Sequence, residues 1–294
     1  MTGLTLTEVQ TVPDARRRQR RGAGRPTWKT VLLSAVMFLI AFVFVFPYLE
    51  MVLTSFRTDK TLLEPTVFPT QWSFQAYTTF FQTALVGNLG ISLLIAAGST
   101  IVVFLVATPA AYFAARHSFR GRTAFLILVL VTQMVQPASM LIGIYEQYRA
   151  LAGLDTVWAL ILVNAGFNMA FAVWILTAYF GSIPRELEEA AQVQGCSRIG
   201  AIWRVTLPLA GPGVVTALIF TFIAAWNEFL TALTLVSTQS KQPLTVAING
   251  FLGAYDTDWQ HLFAASAIAT VPVIVLFAFI EGKVVGGLTA GSIK

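Results

Sequence analysis

The sequence predicts an all-α integral membrane protein of six transmembrane helices, with both chain ends on the cytoplasmic side. Only 11% of the 294 residues are charged and 56% are apolar, whereas about a quarter of the residues in soluble domains are charged. Six apolar stretches each approach the ~20 residues that a helix needs to cross a bilayer. Fifteen of the nineteen Lys and Arg residues fall in segments assigned to the cytoplasm, which is the bias that orients membrane proteins.

Residues 1–27 are predicted to be a disordered cytoplasmic tail, and residues 28–294 the six-helix domain. Much of the formal charge of +5 comes from six arginines between residues 16 and 25. Beside an apolar span, such a cluster retains its segment in the cytoplasm and contacts anionic lipid, so it does not indicate nucleic acid. A secretory signal peptide is the alternative. The apolar run after Lys29 is too long for one, continuing to about Val52 without a small-residue cleavage site.

The apolar pattern places the spans in order along the chain. Pro137 is expected to disturb the third, and in the second the residues Ala107, Ala111 and Ala115 repeat every four positions, which favours close helix packing. Two long outer connections, residues 56–87 and 237–261, offer surfaces to a soluble partner. The spans are expected at about 30–52, 88–115, 124–145, 157–180, 209–236 and 262–280.

The segment between the fourth and fifth spans is charged and carries signals for two short helices. Ser182 is a plausible N-cap followed by Pro184, Gly195 supplies a stop, and Ser197 a second cap. In the first helix one stripe is mostly small, so that a partner can approach closely. This stripe consists of Leu187, Ala190, Ala191 and Gln194.

A helix–turn–helix can read DNA, but the charge of this one argues against that function. Its three arginines are balanced by three glutamates, and a DNA-binding surface needs excess positive charge. A plain solvated loop is the remaining alternative from spacing alone.

The same segment resembles the EAA loop of bacterial ABC-importer membrane subunits. The matching residues are Glu189, Ala190 and Ala191, a glycine four residues later at Gly195, and Leu-Pro ending thirteen residues beyond that at Pro208. The resemblance implies a cytoplasmic coupling helix that docks into a cleft of the ATP-hydrolysing subunit, with Arg198 included among the coupling residues. Gln194 departs from the family, which often has Asp there.

Three further motifs resemble carbohydrate-importer permeases similar to the inner-membrane maltose subunit: G-L-D-T at 153–156, A-W-N-E-F at 225–229 and G-L-T-A-G-S-I-K at 287–294. The resemblance implies a bacterial plasma-membrane permease that forms half of the path for a sugar, a di- or oligosaccharide. It also implies a second homologous permease, two ATP-binding subunits or one ATPase homodimer that bind ATP and Mg, and an extracytoplasmic solute-binding protein.

Polar side chains within the spans are the candidates for a solute path, because lipid penalises them. Amides beside an aromatic ring suit a hydroxyl-rich ligand. The alternative is that these groups only hydrogen-bond neighbouring helices. The candidates are Asn164, Asn168 and Phe171 in the fourth span, Gln133 and Gln136 in the third, and Trp226, Asn227 and Glu228 in the fifth.

The sequence lacks a catalytic constellation, so no enzyme activity and no bound cofactor or metal are expected. It has no G-x-x-x-x-G-K-[ST] phosphate loop, no metal-ligand spacing, and one cysteine, Cys196, interpreted as an inert thiol. Alternatives to a sugar permease are an ABC importer for another solute, such as a glycerol phosphate or a polyol, and a gradient-driven secondary transporter. A membrane scaffold or sensor for a cytoplasmic ATPase is a third.

Overall fold

The computed structural model of this chain describes residues 28–58, 66, 68–253 and 257–290, with side chains described as far as residue 278. The predicted tail at residues 1–27 and the last four residues of the C-terminal motif lie outside the described residues. The chain divides into two units, Met1–Glu50 and Met51–Lys294.

Within the described residues the regular secondary structure is helical, as the sequence predicts, apart from one isolated bridge between Leu252 and Thr257. A π-helical turn, Ile202–Thr206, joins α8 to α9, and a 3-10 turn, Gln239–Lys241, lies between α11 and α12. The helices are α1 (Trp28–Thr54), α2 (Gln75–Gln82), α3 (Leu85–Arg116), α4 (Arg122–Thr132), α5 (Pro137–Ala150), α6 (Val157–Ser182), α7 (Glu186–Val193), α8 (Arg198–Ala201), α9 (Leu207–Leu209), α10 (Gly211–Trp226), α11 (Leu230–Leu235), α12 (Leu244–Asn249) and α13 (Trp259–Ala290).

The described part of the first unit is the apolar helix α1 as far as Glu50. An 18-residue stretch of this helix has a mean hydropathy of 2.6, and at 1.5 Å per residue the 27 residues extend about 40 Å, enough to cross a bilayer. All of its residues up to Glu50 are exposed. An apolar surface of this size is stable only in lipid or against another apolar surface.

The second unit is organised around α3, α6 and α10. The predicted small-residue stripe is confirmed as packing surface: Ala107 and Ala111 are fully buried in a cluster with residues of α6 and α10. At Gly213 a Cβ atom would lie 2.2 Å from the Tyr179 ring, so glycine is required where α10 crosses α6. Small side chains therefore set the helix spacing, as in other membrane bundles.

Two of the six predicted spans are not straight helices. The disturbance expected at Pro137 is present in the span at 124–145, whereas the prediction of one span from 209 to 236 was wrong, because α10 ends at Trp226 and α11 begins at Leu230. α4 and α5 meet at a bend of 94° just before Pro137, which lacks an N–H and begins the second helix. The segment Arg198–Leu209 meets α10 at 76°, and α10 itself ends at Trp226. In the described residues four unbroken helices are long and apolar enough to cross a membrane, or up to six if each bent pair is one span.

Candidate functional site

The charged stretch between α6 and α10 folds as a helix, a glycine turn and a second helix, as its sequence predicts. After α7, Gly195 has a φ of +90°, a left-handed conformation that glycine adopts at little cost. Ser197 then caps α8, because its Oγ accepts a backbone N–H three residues on, at 3.1 Å. The prediction that Ser182 caps α7 was wrong: α6 continues to Ser182, whose hydroxyl donates to a carbonyl of its own helix.

One face of α7 is open to its surroundings. Glu189 and Ala190 are exposed, and the apolar side chain of Val193 is 89% exposed. Arg198 and Pro208, which begin α8 and lie in α9, are also exposed, and Ala191 is half-buried. The residues that the EAA resemblance singles out thus lie mainly on an accessible surface, as a docking helix requires.

The opposite face of α7 is fixed by a buried ion pair between Glu188 and Arg116, the last residue of α3. The side chains of Arg116 and Glu188 are only 7% and 9% exposed. Glu188 Oε1 accepts from Arg116 Nε at 2.9 Å and Nη2 at 2.5 Å and from Thr206 Oγ1 at 2.8 Å, while Oε2 accepts from the Tyr112 hydroxyl at 2.8 Å. We call Tyr112, Arg116, Glu188 and Thr206 the Glu188 cluster.

The cluster also binds the chain that leads into α7. The third guanidinium nitrogen of Arg116, Nη1, donates to the Ile183 carbonyl at 2.8 Å, and Arg185 Nη2 donates to the Arg116 carbonyl at 2.5 Å. Each nitrogen of the buried guanidinium therefore has an acceptor. α7 is tied to the end of α3 and, through Thr206, to the π-helical turn that leads toward α10.

The electrostatics of the cluster keep Glu188 ionised. Burial raises the pKa of a carboxyl, but here the hydrogen bonds from Thr206 and Tyr112 and the charge of Arg116 outweigh it, so the pKa of Glu188 lies below its ordinary value. Removing one partner of a buried pair leaves an uncompensated charge and typically costs about 3–5 kcal/mol. The cluster is therefore a rigid joint.

Sequence reasoning missed this cluster, since it selected Glu189 and did not select Glu188. The signals that could have found it are an arginine at the very end of an apolar helix and the periodicity of α7. Glu188 and Ala191 are three residues apart and so share a face, and both are less exposed than Glu189.

The candidate path residues of the fourth span bond within their own helix. Asn164 is buried and donates to the Leu160 carbonyl at 2.9 Å, and Asn168, half-buried, donates to the Asn164 carbonyl at 2.8 Å. Phe171 is half-buried, its ring edge-on to Phe220 of α10 at 5.3 Å. Asn164 therefore lies in the helix packing, and Asn168 and Phe171 remain partly accessible.

The other candidates cluster at the two breaks. Gln133 and Gln136 are exposed at the α4–α5 bend, where Gln133 Nε2 donates to the Phe167 carbonyl of α6 at 3.2 Å. Asn227 is exposed beyond the end of α10, whereas Trp226 is buried and stacks on Phe222. The hydrogen bond from Gln133 thus joins the α4–α5 break to α6 beside Asn168.

Glu228 explains the second break. Its carboxylate accepts the N–H groups of Thr231 at 2.6 Å and Ala232 at 3.1 Å, and its carbonyl accepts the Thr245 hydroxyl at 2.9 Å. It therefore caps the first turn of α11, where negative charge is favourable. A carboxylate paired with backbone donors in this way avoids much of the cost of a charge at membrane depth.

A second acidic residue, Asp155, organises the other end of the bundle. Its carboxylate accepts the N–H groups of Ser237 and Thr238 at 3.1 and 2.8 Å, the Thr238 hydroxyl at 2.7 Å and Lys241 Nζ at 2.9 Å. The backbone N–H of Thr238 is the largest cause that holds the pKa of Asp155 well below its ordinary value, and Lys241 adds to it. We call Asp155, Ser237, Thr238 and Lys241 the Asp155 clasp.

Asn88 and Ser92 of α3 hold the same loop from the other side. Asn88 Nδ2 donates to the carbonyls of Gln239 and Gln242 at 2.8 and 2.7 Å, and Ser92 Oγ accepts the N–H of Leu244 at 2.8 Å. The connection between α11 and α12 is therefore anchored to α3 as well as to the loop before α6.

Comparison with known proteins places this architecture among transport proteins. Residues 107–285 match the sequence family described as binding-protein-dependent transport system inner membrane component. The chain is 36% identical to the sulfoquinovosyl glycerol transport system permease protein SmoH of Agrobacterium fabrum, over 85% of this chain and 88% of the relative. It is 30% identical to the trehalose/maltose transport system permease protein MalG of Thermococcus litoralis, over 90% and 97%.

Among solved structures the chain is similar to one from a bacterial ABC transporter involved in the import of the acidic polysaccharide alginate. The TM-score is 0.74 at 20% sequence identity, and the match covers 86% of this chain and 95% of that one. At this identity the likeness concerns the fold.

Proposed function

This chain belongs to the family of binding-protein-dependent transport system inner membrane components, and from that premise we propose that it carries a di- or oligosaccharide and is driven through α7. It is a permease subunit of an ABC importer and a multi-pass protein of the plasma membrane. The relatives named for trehalose/maltose and for sulfoquinovosyl glycerol both carry glycosides by name, which supports a carbohydrate substrate here.

The observation that carries the coupling proposal is the two-faced nature of α7. Its inner face is locked to α3 by the Glu188 cluster, and its outer face presents Glu189, Ala190 and Val193. A helix that is rigidly attached on one side and open on the other transmits the displacement of a docked partner instead of absorbing it. We propose that α7 is the coupling helix, with Gly195 shaping the turn behind it.

The proposed assembly has six spans with both ends of the chain in the cytoplasm, and α4 and α5 together form one of these spans. A second homologous permease supplies the other half of the path. Two ATP-binding subunits, or one ATPase homodimer, hold ATP and Mg and dock on α7, while this chain binds no cofactor of its own. A solute-binding protein delivers the sugar to the outer connections, which include the loop held by the Asp155 clasp.

The proposed path runs along the breaks in the helices. Gln133 and Gln136 at one break and Asn227 at the other are exposed polar groups, and interrupted helices at membrane depth are tolerated where they line a cavity or a site. Asn168 and Phe171 complete the set with an amide and a ring. Asn164 and Trp226 are buried and support these residues by packing. Glu228 stabilises the break after α10 by capping α11.

Uptake by the purified complex in proteoliposomes tests this function. With ATP inside, the binding protein outside and labelled disaccharides, we expect accumulation that stops when ATP is omitted. A glycerol phosphate or polyol as the accumulated solute would redirect the substrate assignment. Uptake without ATP that collapses with an ion gradient would identify a secondary transporter, and ATPase stimulation without uptake of any solute a sensor.

A further inference from the structure

Two clefts meet at the end of α3 that carries the Glu188 cluster. The first, of about 420 Å³, is polar, and the second, of about 360 Å³, is apolar. They share Tyr112, His117 and Ile202 as lining residues. The two therefore adjoin and form one amphipathic depression beside α7 and α8.

The apolar cleft opens toward the surroundings of the bundle. Phe104, Leu105 and Phe113 of α3 form one wall, and Trp203 and Leu207 the other. Leu105 is 61% exposed and Trp203 56%. In a protein of the plasma membrane, exposed apolar side chains along a spanning helix face lipid tails, so a lipid chain can enter this cleft from the bilayer.

The polar cleft has the chemistry of a phosphate site. It is lined by Arg116, Arg185 and Arg198, and among the described residues Arg116 is the one of the three with an ion pair, to Glu188. Arg198, and the donors of Arg185 that do not bond the Arg116 carbonyl, have the chemistry that suits phosphate. Glu189, the other acidic residue of the lining, lies on the face of α7 that is proposed to dock the ATP-binding subunit.

We propose that the two clefts bind one anionic phospholipid, of the phosphatidylglycerol type, from the leaflet that borders α7. Its phosphate contacts Arg185 and Arg198, and one acyl chain fills the apolar cleft. The lipid then fills the space between α3 and the segment that follows α7. The proposed lipid site does not depend on which solute the protein transports.

Native mass spectrometry of the complete transporter, purified from its membrane in mild detergent, tests the proposal. We expect wild type to retain one phosphatidylglycerol per copy of this chain, and Leu105→Trp, which fills the cleft, to lose it. Leu94→Trp is the matched control: Leu94 is on the same helix, 54% exposed, and does not line either cleft, so retention should be unchanged.

A competition in nanodiscs tests the headgroup separately. Wild type should prefer phosphatidylglycerol to phosphatidylcholine, and Arg198→Gln should reduce that preference about tenfold, the size of one charge-assisted hydrogen bond. Equal retention in wild type and Leu105→Trp, or no preference for the anionic lipid in wild type, would overturn the proposal. A complete transporter that assembles without any retained lipid would also overturn the proposal, because a partner subunit would then fill the clefts.

Discussion

The two ends of the bundle each depend on one carboxylate, but they use it in opposite ways. Glu188 is only 9% exposed, is bonded by three side chains including the 7% exposed Arg116, and fixes a helix. Asp155 is bonded mainly by a loop's backbone and by Lys241, at side-chain exposures of 32% and 45%, and fixes a connection. A charge withdrawn from water makes a joint that is costly to break, whereas an exposed one makes a fastening that can open.

The largest effect is expected at the Glu188 cluster. Replacing Glu188 with Ala leaves Arg116 buried and unpaired, which should lower stability by about 3–5 kcal/mol and abolish uptake. Thermal unfolding of the detergent-purified complex and proteoliposome uptake measure the two effects. Its neighbour provides the matched control: Glu189→Ala removes an exposed carboxylate and should lower only coupling. Equal loss of stability in both variants would contradict the distinction between the two faces of α7.

The next largest effect is expected at Gly195. A valine there is forced into a left-handed conformation, at a cost of about 1–3 kcal/mol, and the turn behind α7 should shift. ATP hydrolysis should continue while solute transported per ATP falls severalfold. Gly181→Val, in α6 with open space around its Cβ position, is the control and should leave the ratio near wild type. A normal ratio in Gly195→Val would remove this turn from the coupling account.

A smaller effect is expected at the Asp155 clasp. Asp155→Asn keeps the shape but loses the ion pair with Lys241 and weakens acceptance from Thr238. Amide hydrogen exchange should accelerate at Ser237 and Thr238, with stability and ATP-driven uptake largely retained. Asp258→Asn, which alters another exposed carboxylate, should leave those amides protected. If Asp155→Asn instead unfolded the whole complex, the Asp155 clasp would be as important for stability as the Glu188 cluster, which would contradict this contrast.

The pH dependence sharpens the same contrast. Both carboxyls have a lowered pKa, so their stabilisation is fully present above the ordinary values of about 3.9 for Asp and 4.3 for Glu and is lost as pH falls through the lowered ones. Stability should therefore be flat from neutral pH to about pH 5 with respect to these groups and decline in stronger acid. The decline should be shallower in Glu188→Gln, and a wild-type slope in that variant would refute the assignment.

Hydropathy and residue spacing predicted the helical class, the positions of most spans and the helix–glycine–helix of the loop. Pro137 predicted a disturbance of the third span, but the size of the α4–α5 bend was not predictable, because apolar character continues through the junction. α10 ends where the Glu228 carboxylate accepts the first N–H groups of α11. Hydropathy carries no information about this hydrogen bonding. The Glu188–Arg116 pair joins residues 72 positions apart, so only the packing of α3 on α6 reveals it.

The most direct test of the central claim is whether the open face of α7 touches the ATPase. In a Cys196→Ser background, Val193→Cys should be labelled with a benzophenone maleimide and the complete transporter irradiated with and without ATP. Ile142→Cys, which is 82% exposed on α5, controls for non-specific capture. We expect the label at position 193, and not that at 142, to cross-link to the ATP-binding subunit with a yield that changes with ATP. No such adduct in a complex that still hydrolyses ATP and imports its solute would contradict the account.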